Sequence, residues 1–161
     1  MNINKYTEKA RQAVAAAVEL AQTGNNPQLE PEHLLAALID GSHIATLAHE
    51  EAASRYALQH VATRATRDGD HYVINGSKIF ITNGWHADLV IVVAKTDPQA
   101  GAKGTSLFLL EAGTPGFTKG KPLHKLGLKA QDTCELFFDD VKLSPSQLLG
   151  GEAYLNKGFV C

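Results

Sequence analysis

The feature that most constrains this chain is the segment over residues 72–84, which reads YVINGSKIFITNG. β-Branched and aromatic residues lie on both sides of its central Asn75-Gly76 dipeptide. Asn-Gly is the strongest short hairpin signal, because both residues tolerate the positive φ that a type I′ turn requires. The segment therefore predicts two antiparallel strands that meet at Asn75-Gly76.

The second predicted strand carries an aromatic ring and a hydroxyl two positions apart. Phe80 and Thr82 share one face of that strand, because side chains alternate between the two faces. A flat ring beside a hydrogen-bonding group suits a planar heterocycle, whereas an ordinary strand end shows the same pattern. The residues alone leave both interpretations open.

The composition excludes several classes of function. The net charge is −2, from 15 basic and 17 acidic residues, so there is no electrostatic footprint for nucleic acid or an anionic membrane. No apolar run approaches the roughly 20 residues of a membrane span, and the polar start lacks a secretory signal pattern. The two cysteines, Cys134 and Cys161, form no disulfide framework or metal pair. We therefore expect a cytoplasmic protein with no nucleic-acid or membrane partner.

Several smaller candidates for a site are better explained as ordinary structure. His49-Glu50-Glu51 is the only concentrated metal-type chemistry, but adjacent strand positions face opposite ways and no HExxH spacing exists, so no metal site is expected. Lys129 is predicted to be a solvated lysine rather than a phosphate ligand, and Asp139-Asp140 a solvated strand end rather than a cation site. Trp85 is predicted to close the rim of the fold, the alternative being that it lines a ligand.

The first 40 residues read as helical. Residues 9–22 are rich in alanine and carry an apolar stripe, which predicts a helix that stops at Gly24 and Pro27. Pro31 suits a first helical position and predicts a second helix over residues 32–39. Two helices of this size cannot bury both apolar faces against each other alone.

Two motifs in these helices, YTEKAR at residues 6–11 and EPEHLLAAL at residues 30–38, resemble the start of the N-terminal domain of Clp/Hsp100 chaperones. In that family they form the first two helices of a repeated four-helix unit that binds substrates or adaptors. The rest of the unit does not follow here, and the resemblance covers residues 4–41. The sequence contains no P-loop, which excludes ATPase activity.

From residue 44 onward the pattern is that of strands. Asp68-Gly69-Asp70 predicts a turn after a strand over residues 61–66. Further strands are predicted at residues 89–94, 105–111 and 134–141, with a loop over residues 97–104 and a turn over residues 113–116. Strands at short spacing with no helices between them indicate an all-β barrel or sandwich. The predicted class is α+β, with a helical hairpin over residues 1–42 and a β-domain over residues 43–161.

Linked motifs in this β part resemble the middle β-domain of acyl-CoA dehydrogenases. They are RDGDHYVINGSK at residues 67–78, FITNG at 80–84, GTPGF at 113–117, KLGLKA at 125–130, ELFFDDV at 135–141 and LLG at 148–150. The resemblance implies the barrel fold of that domain, an oxidoreductase setting and FAD as the cofactor. In its overall sequence this β part is most similar to the long-chain branch of the family.

The resemblance also implies a set of cofactor-binding residues. Phe80 takes the position of an aromatic residue that packs on the isoalloxazine, and Thr82 that of a hydroxyl near its N5/O4 edge, with Ile81 between them. A flavin-contacting segment of the family corresponds to residues 50–57, where Glu50 replaces a threonine and Tyr56 a serine. A carboxylate at Glu50 is unfavourable beside an electron-rich flavin edge unless it is protonated or turned away.

The resemblance further implies that catalysis is incomplete. In the family the base that removes the α-proton comes from a C-terminal helical domain, and this sequence ends at Cys161. Without a base that step has no general-base catalyst, so we expect no catalytic residue and no dehydrogenase activity. We expect a chimera of two families joined near residues 41–43, a monomer or homodimer, with weak flavin or acyl-CoA binding. The alternative is a Clp-like interaction module that carries a structural β-domain.

Overall fold

The computed structural model describes residues 44–54 and 57–158. The strands are β1 (Ala45–Ala48), β2 (Arg64–Asp68), β3 (His71–Thr82), β4 (Leu89–Lys95), β5 (Thr105–Glu111), β6 (Phe117–Lys119) and β7 (Thr133–Leu143). Short 3-10 helices span Leu58–His60, Pro98–Gly104, Pro145–Gln147 and Glu152–Tyr154. Both predicted N-terminal helices, and with them the predicted domain over residues 1–42, lie outside the described residues. No helix within the described ranges is long and apolar enough to cross a membrane.

The seven strands join one sheet. Its strand order is β1-β4-β2-β3-β7-β6, and β5 pairs with β4. Over residues 44–54 and 57–158 the sheet does not close on itself, so the β-domain that we predicted as a barrel or sandwich is a half-barrel. The prediction of a mostly β domain with little helix between its strands is confirmed.

The apolar run at residues 89–94 forms a strand, as predicted. Val92 and Val93 point to opposite faces of β4 and both are fully buried, so the strand is covered on both sides. β5 has the predicted bounds and pairs with β4 along its whole length, from Leu89↔Glu111 to Lys95↔Thr105. The predicted loop before β5 is wrong, because Pro98–Gly104 forms 3-10 turns.

The predicted hairpin at Asn75-Gly76 is wrong. His71–Thr82 is one strand, and the turn lies earlier, at Gly69, between β2 and β3. The strand before that turn begins at Arg64, three residues later than predicted. A hairpin at Asn75-Gly76 would fold residues 78–82 back onto residues 71–74, but β2 already pairs with one edge of β3 and β7 with the other. Both edges are occupied, so the strand continues.

The core gathers residues from all seven described strands into a single cluster. Tyr72 of β3 contacts Phe108 of β5 with ring centroids 5.1 Å apart. Phe117 of β6 stacks on Phe138 of β7 at 5.5 Å. Aromatic pairs at these distances stabilise the fold beyond the burial of their area. They connect β3 to β5 and β6 to β7 through the interior.

Candidate functional site

A β-bulge near the end of β3 determines which side chains face outward there. Along β3, Tyr72, Ile74 and Lys78 are buried, and continued alternation would bury Phe80 as well. Lys78 pairs with Leu136 and Ile81 with Cys134. The register therefore shifts between them, because β3 advances by three residues where β7 advances by two. The extra residue reverses the alternation, as bulges do. Phe80 therefore faces outward and Ile81 enters the core.

The backbone of Phe80 carries the bulge. Its φ is 55°, a left-handed conformation that a bulky L-residue rarely adopts. Its ring is 58% exposed, and Thr82, two residues on, is exposed too. Phe80 and Thr82 share one face, as predicted, and that face is the exposed one. An outward aromatic face beside an outward hydroxyl at a paired strand end fits a planar ring system, which would stack on one and hydrogen-bond to the other.

The other three predicted cofactor residues differ in their placement. The Ile81 side chain is buried in the core, so only its main chain is available to a ligand on the outer face. Glu50 is partly buried, with its carboxylate 3.9 Å from His49 Nε2, and its carbonyl accepts the Ile79 N–H at 2.9 Å. Tyr56 lies outside the described residues. The assignment of all five residues to a cofactor stays a prediction.

A buried ion pair beneath the bulge was not predicted. Lys78 is fully buried and Glu51 is 4% exposed, and Lys78 Nζ lies 2.7 Å from Glu51 Oε1. The same carboxylate accepts the main-chain N–H of Ala62 at 2.6 Å and of Thr63 at 3.0 Å. The signal was present in the sequence: alternation from Tyr72 puts Lys78 on the buried face, where an ammonium group needs a carboxylate.

The pair shifts the titration of both groups. Burial by itself raises the pKa of the Glu51 carboxyl, but the hydrogen bonds from Lys78, Thr63 and Ala62 and the charge of the lysine outweigh it, so this pKa lies below its ordinary value. Burial lowers the pKa of Lys78, against the opposing hydrogen bond and charge of Glu51. At neutral pH the carboxylate is ionised and holds three donors.

A cavity of about 610 Å³ opens beyond the end of β3. Its lining consists of Trp85, His86, Pro122, Leu123, His124, Lys125, Leu126, Lys129, Ala130, Gln131 and Asp132. Asp132 accepts the main-chain N–H of Trp85 at 2.8 Å, which fixes the start of the cavity next to the strand end. Trp85 and Lys129 both line this cavity.

Two family models match the chain. The model of the acyl-CoA dehydrogenase middle domain matches residues 45–141, and that of the Clp repeat N-terminal domain matches residues 5–84. Both resemblances that the sequence predicted are therefore confirmed. The two matches overlap at residues 45–84, where the described residues form β1, β2, β3 and one 3-10 turn. This β structure agrees with the match to the acyl-CoA dehydrogenase middle domain.

Known enzymes match over most of the chain. The long-chain specific acyl-CoA dehydrogenase of Sus scrofa, named as mitochondrial, is 50% identical over 87% of this chain and 32% of its own length. The acyl-CoA dehydrogenase structure from Geobacillus kaustophilus has a TM-score of 0.71 and 46% identity, covering 83% of this chain and 36% of its own. The butyryl-CoA dehydrogenase of Megasphaera elsdenii has a TM-score of 0.68 and 36% identity, covering 86% and 37%.

The chain spans only part of the length of the enzymes that it matches. The chain spans 32% of the length of the porcine, rat and mouse long-chain enzymes. The similarity therefore concerns about a third of such an enzyme and not the whole of it. The cytoplasmic location expected from the sequence stays a prediction.

Proposed function

This chain belongs to the acyl-CoA dehydrogenase family through its middle domain, and from that premise we propose that it supplies the flavin-facing β-domain of an FAD-dependent oxidoreductase acting on acyl-CoA thioesters. One observation carries the proposal. The β3 bulge turns the Phe80 ring outward beside Thr82, at the two positions that the family resemblance assigns to the isoalloxazine.

The residues of this face have distinct roles in the proposal. When bound, FAD would supply the acceptor for a hydride from the acyl chain. Phe80 offers its face to the ring system, and the Thr82 hydroxyl donates a hydrogen bond at the ring edge. The Glu50 carboxylate is partly buried and lies 3.9 Å from His49 Nε2. We propose that it is turned away from the flavin, which would relieve the conflict expected between a carboxylate and an electron-rich ring edge.

We further propose that the 161-residue chain alone does not turn over. Removal of the α-proton needs a carboxylate that can approach the substrate. In the segment against the bulge, Glu51 is held by Lys78 and two main-chain amides, and Glu50 is partly buried beside His49. Glu51 is therefore not available as a base. The chain thus provides a cofactor face rather than a complete active site.

Titration of purified chain with FAD tests the binding. We expect quenching of flavin fluorescence and a flavin visible spectrum that stays with the protein through gel filtration. Phe80→Ala should weaken binding about fivefold, since stacking on an aromatic face contributes on the order of 1 kcal/mol. Tyr154→Ala is a matched control, because Tyr154 is 59% exposed and Phe80 is 58% exposed. A protein that stays colourless and leaves FAD fluorescence unchanged contradicts the proposal.

An activity assay tests the second part. The chain is mixed with FAD, an acyl-CoA and an artificial electron acceptor, and we expect no acceptor reduction above a protein-free blank. A complete family member assayed in parallel shows that the reagents are active. Turnover at the rate of that enzyme would show that the chain has its own base, and the binding proposal would still stand.

The Clp match favours a second candidate function. The model of the Clp N-terminal domain matches from residue 5, so we propose that the chain joins two families and that its first 42 residues bind unfolded polypeptide or a Clp adaptor. A pull-down by the full chain, compared with a chain that lacks residues 1–42, tests this. Equal recovery by both chains would refute it. Sedimentation of the full chain tests the proposed monomer or homodimer.

A further inference from the structure

We propose that the buried Glu51–Lys78 pair is a positioning device: it fixes the segment over residues 46–51 against the β3 bulge and so aims Phe80 and Thr82 outward. The role of these two side chains in binding a flavin rests on the proposed function. The role of the pair in holding the bulge is independent of that function. Neither residue of the pair is a catalytic residue, because both act through the backbone that carries Phe80.

The bulge needs a hydrogen-bond partner that β7 does not provide. The register passes from Lys78↔Leu136 directly to Ile81↔Cys134, which leaves Ile79 and Phe80 outside the ladder. The Ile79 N–H instead donates to the carbonyl of Glu50 at 2.9 Å. A buried main-chain donor without a partner is costly, so the bulge depends on where Glu50 lies.

The segment that carries Glu50 touches β3 on both sides of the bulge. Before the bulge, Lys78 Nζ donates to Glu51 Oε1 at 2.7 Å and to the His49 carbonyl at 3.3 Å. After it, Thr46 Oγ1 donates to the Thr82 carbonyl at 2.6 Å. Glu51 is tied in addition to the main chain of Ala62 and Thr63. The segment therefore bridges the bulge, and Glu51 is its most strongly held residue.

The Glu51–Lys78 pair can hold the backbone in one conformation because water is excluded from it. Lys78 Nζ and the Glu51 carboxylate are both shielded from water, and charges without water to replace a lost partner keep that partner. Arg67 and Glu152 form a second ion pair, 3.1 Å apart, with side chains that are 54% and 47% exposed. This pair contacts the other end of β3, where Tyr72 Oη donates a hydrogen bond to Glu152 at 3.2 Å. Water and salt can substitute in that pair. It is therefore a matched control.

Phe80 needs such support. A bulky residue at φ 55° persists only where the surrounding structure over-determines it. If the segment over residues 46–51 moves away, the Ile79 N–H loses its acceptor, and the bulge at Phe80 is no longer stabilised by that hydrogen bond. Regular alternation from Lys78 would then turn Phe80 inward.

The test uses the full chain with Glu51→Gln and Lys78→Met combined. This double variant keeps the side-chain volumes and leaves no unpaired buried charge, so it is expected to fold. Amide hydrogen exchange of Ile79 is compared with that of Val92 in β4 by NMR. We expect exchange at Ile79 to accelerate about tenfold or more relative to Val92, as loss of one main-chain hydrogen bond implies. The double variant Arg67→Met/Glu152→Gln should leave the ratio unchanged.

Equal acceleration at Ile79 and Val92 would mean a general loss of stability and would overturn the proposal, as would no acceleration at Ile79. Should the double variant fail to fold, Glu51→Asp keeps a carboxylate beside Lys78 but shortens the side chain by one methylene, and it should raise the Ile79 ratio by a smaller factor. An unchanged ratio in a folded Glu51→Asp protein would also overturn the proposal.

The affinity for FAD, measured by fluorescence quenching, separates this inference from the proposed function. We expect the double variant of the buried pair to bind FAD about tenfold more weakly than the control variant. If the wild-type chain binds no FAD and Ile79 responds as expected, the positioning of the bulge is supported and the flavin-binding function is refuted. If FAD binds equally to all variants, the pair does not aim the flavin-facing side chains.

Discussion

The side chain of Asn75 on β3 holds Asp140 on β7 through two hydrogen bonds across 65 residues of sequence. Its Nδ2 donates to Asp140 Oδ1, and its Oδ1 accepts the main-chain N–H of Asp140, both at 2.9 Å. Asp140 has a φ of 48° and lies opposite the register shift between Ile74 and Gly76. An amide side chain thus supplies the acceptor that the bulged strand does not find in the ladder.

Asn75→Ala is expected to lower the free energy of unfolding by about 1–2 kcal/mol, because it removes both hydrogen bonds and leaves the Asp140 N–H without its acceptor. Urea denaturation followed by circular dichroism measures the change. Ser77→Ala, an exposed substitution on the same strand, should stay within about 0.5 kcal/mol of wild type. Equal stability of the two variants would show that the Asn75–Asp140 contact does not support the bulge.

Gly76→Ala is expected to cost about 2 kcal/mol or more, because a side chain there is both strained and obstructed. Gly76 has a φ of +146°, and an added Cβ would lie 2.6 Å from Thr63 Oγ1 and 2.7 Å from Thr63 Cα. Gly113 separates the two effects, since its φ is +87° but no atom lies within 4 Å of an added Cβ. Gly113→Ala should cost only about 1 kcal/mol in urea denaturation. A cost no larger at Gly76 would refute the steric argument.

Phe80→Gly should be more stable than Phe80→Ala by about 1 kcal/mol, the reverse of the usual order for a strand. Alanine keeps the left-handed strain at φ 55°, which costs roughly 1–2 kcal/mol, whereas glycine removes it at an entropic cost of about 0.5–1 kcal/mol. Thermal and urea unfolding of both variants measure the difference. If alanine proves the more stable, the backbone of Phe80 is not strained in solution.

Acid is expected to destabilise the domain through Glu51. Because its pKa is lowered in the folded protein, the stability that Glu51 contributes is present above its ordinary pKa and is lost as the pH falls through the lower, folded value. The free energy of unfolding should therefore fall as the pH drops below about 4.5, the ordinary pKa of a glutamate, and it should fall less steeply in Glu51→Gln than in wild type. Glu152→Gln, a half-exposed carboxylate, provides the comparison. Identical slopes for wild type and Glu51→Gln would contradict the assignment.

The local sequence determined much of this protein because the relevant signals are short-range. The apolar run of β4, the bounds of β5 and the Gly69 turn follow from propensity and burial within a few residues. The motifs around Phe80 and Thr82 sufficed to identify the family. That these two residues share a face also followed from alternation. That this face points outward did not, because the bulge reverses the alternation that would have buried Phe80.

Tertiary structure decided the features that depend on distant strands. Asn75-Gly76 has the backbone freedom of a hairpin turn, but β2 and β7 occupy both edges of β3, so the same freedom serves a bulge opposite Asp140. Lys78 is in phase with the buried residues, yet its ionised state depends on Glu51, 27 residues earlier. A residue's own chemistry fixes which conformations and charges it tolerates. Which of them it adopts is fixed by the partner that the fold brings to it.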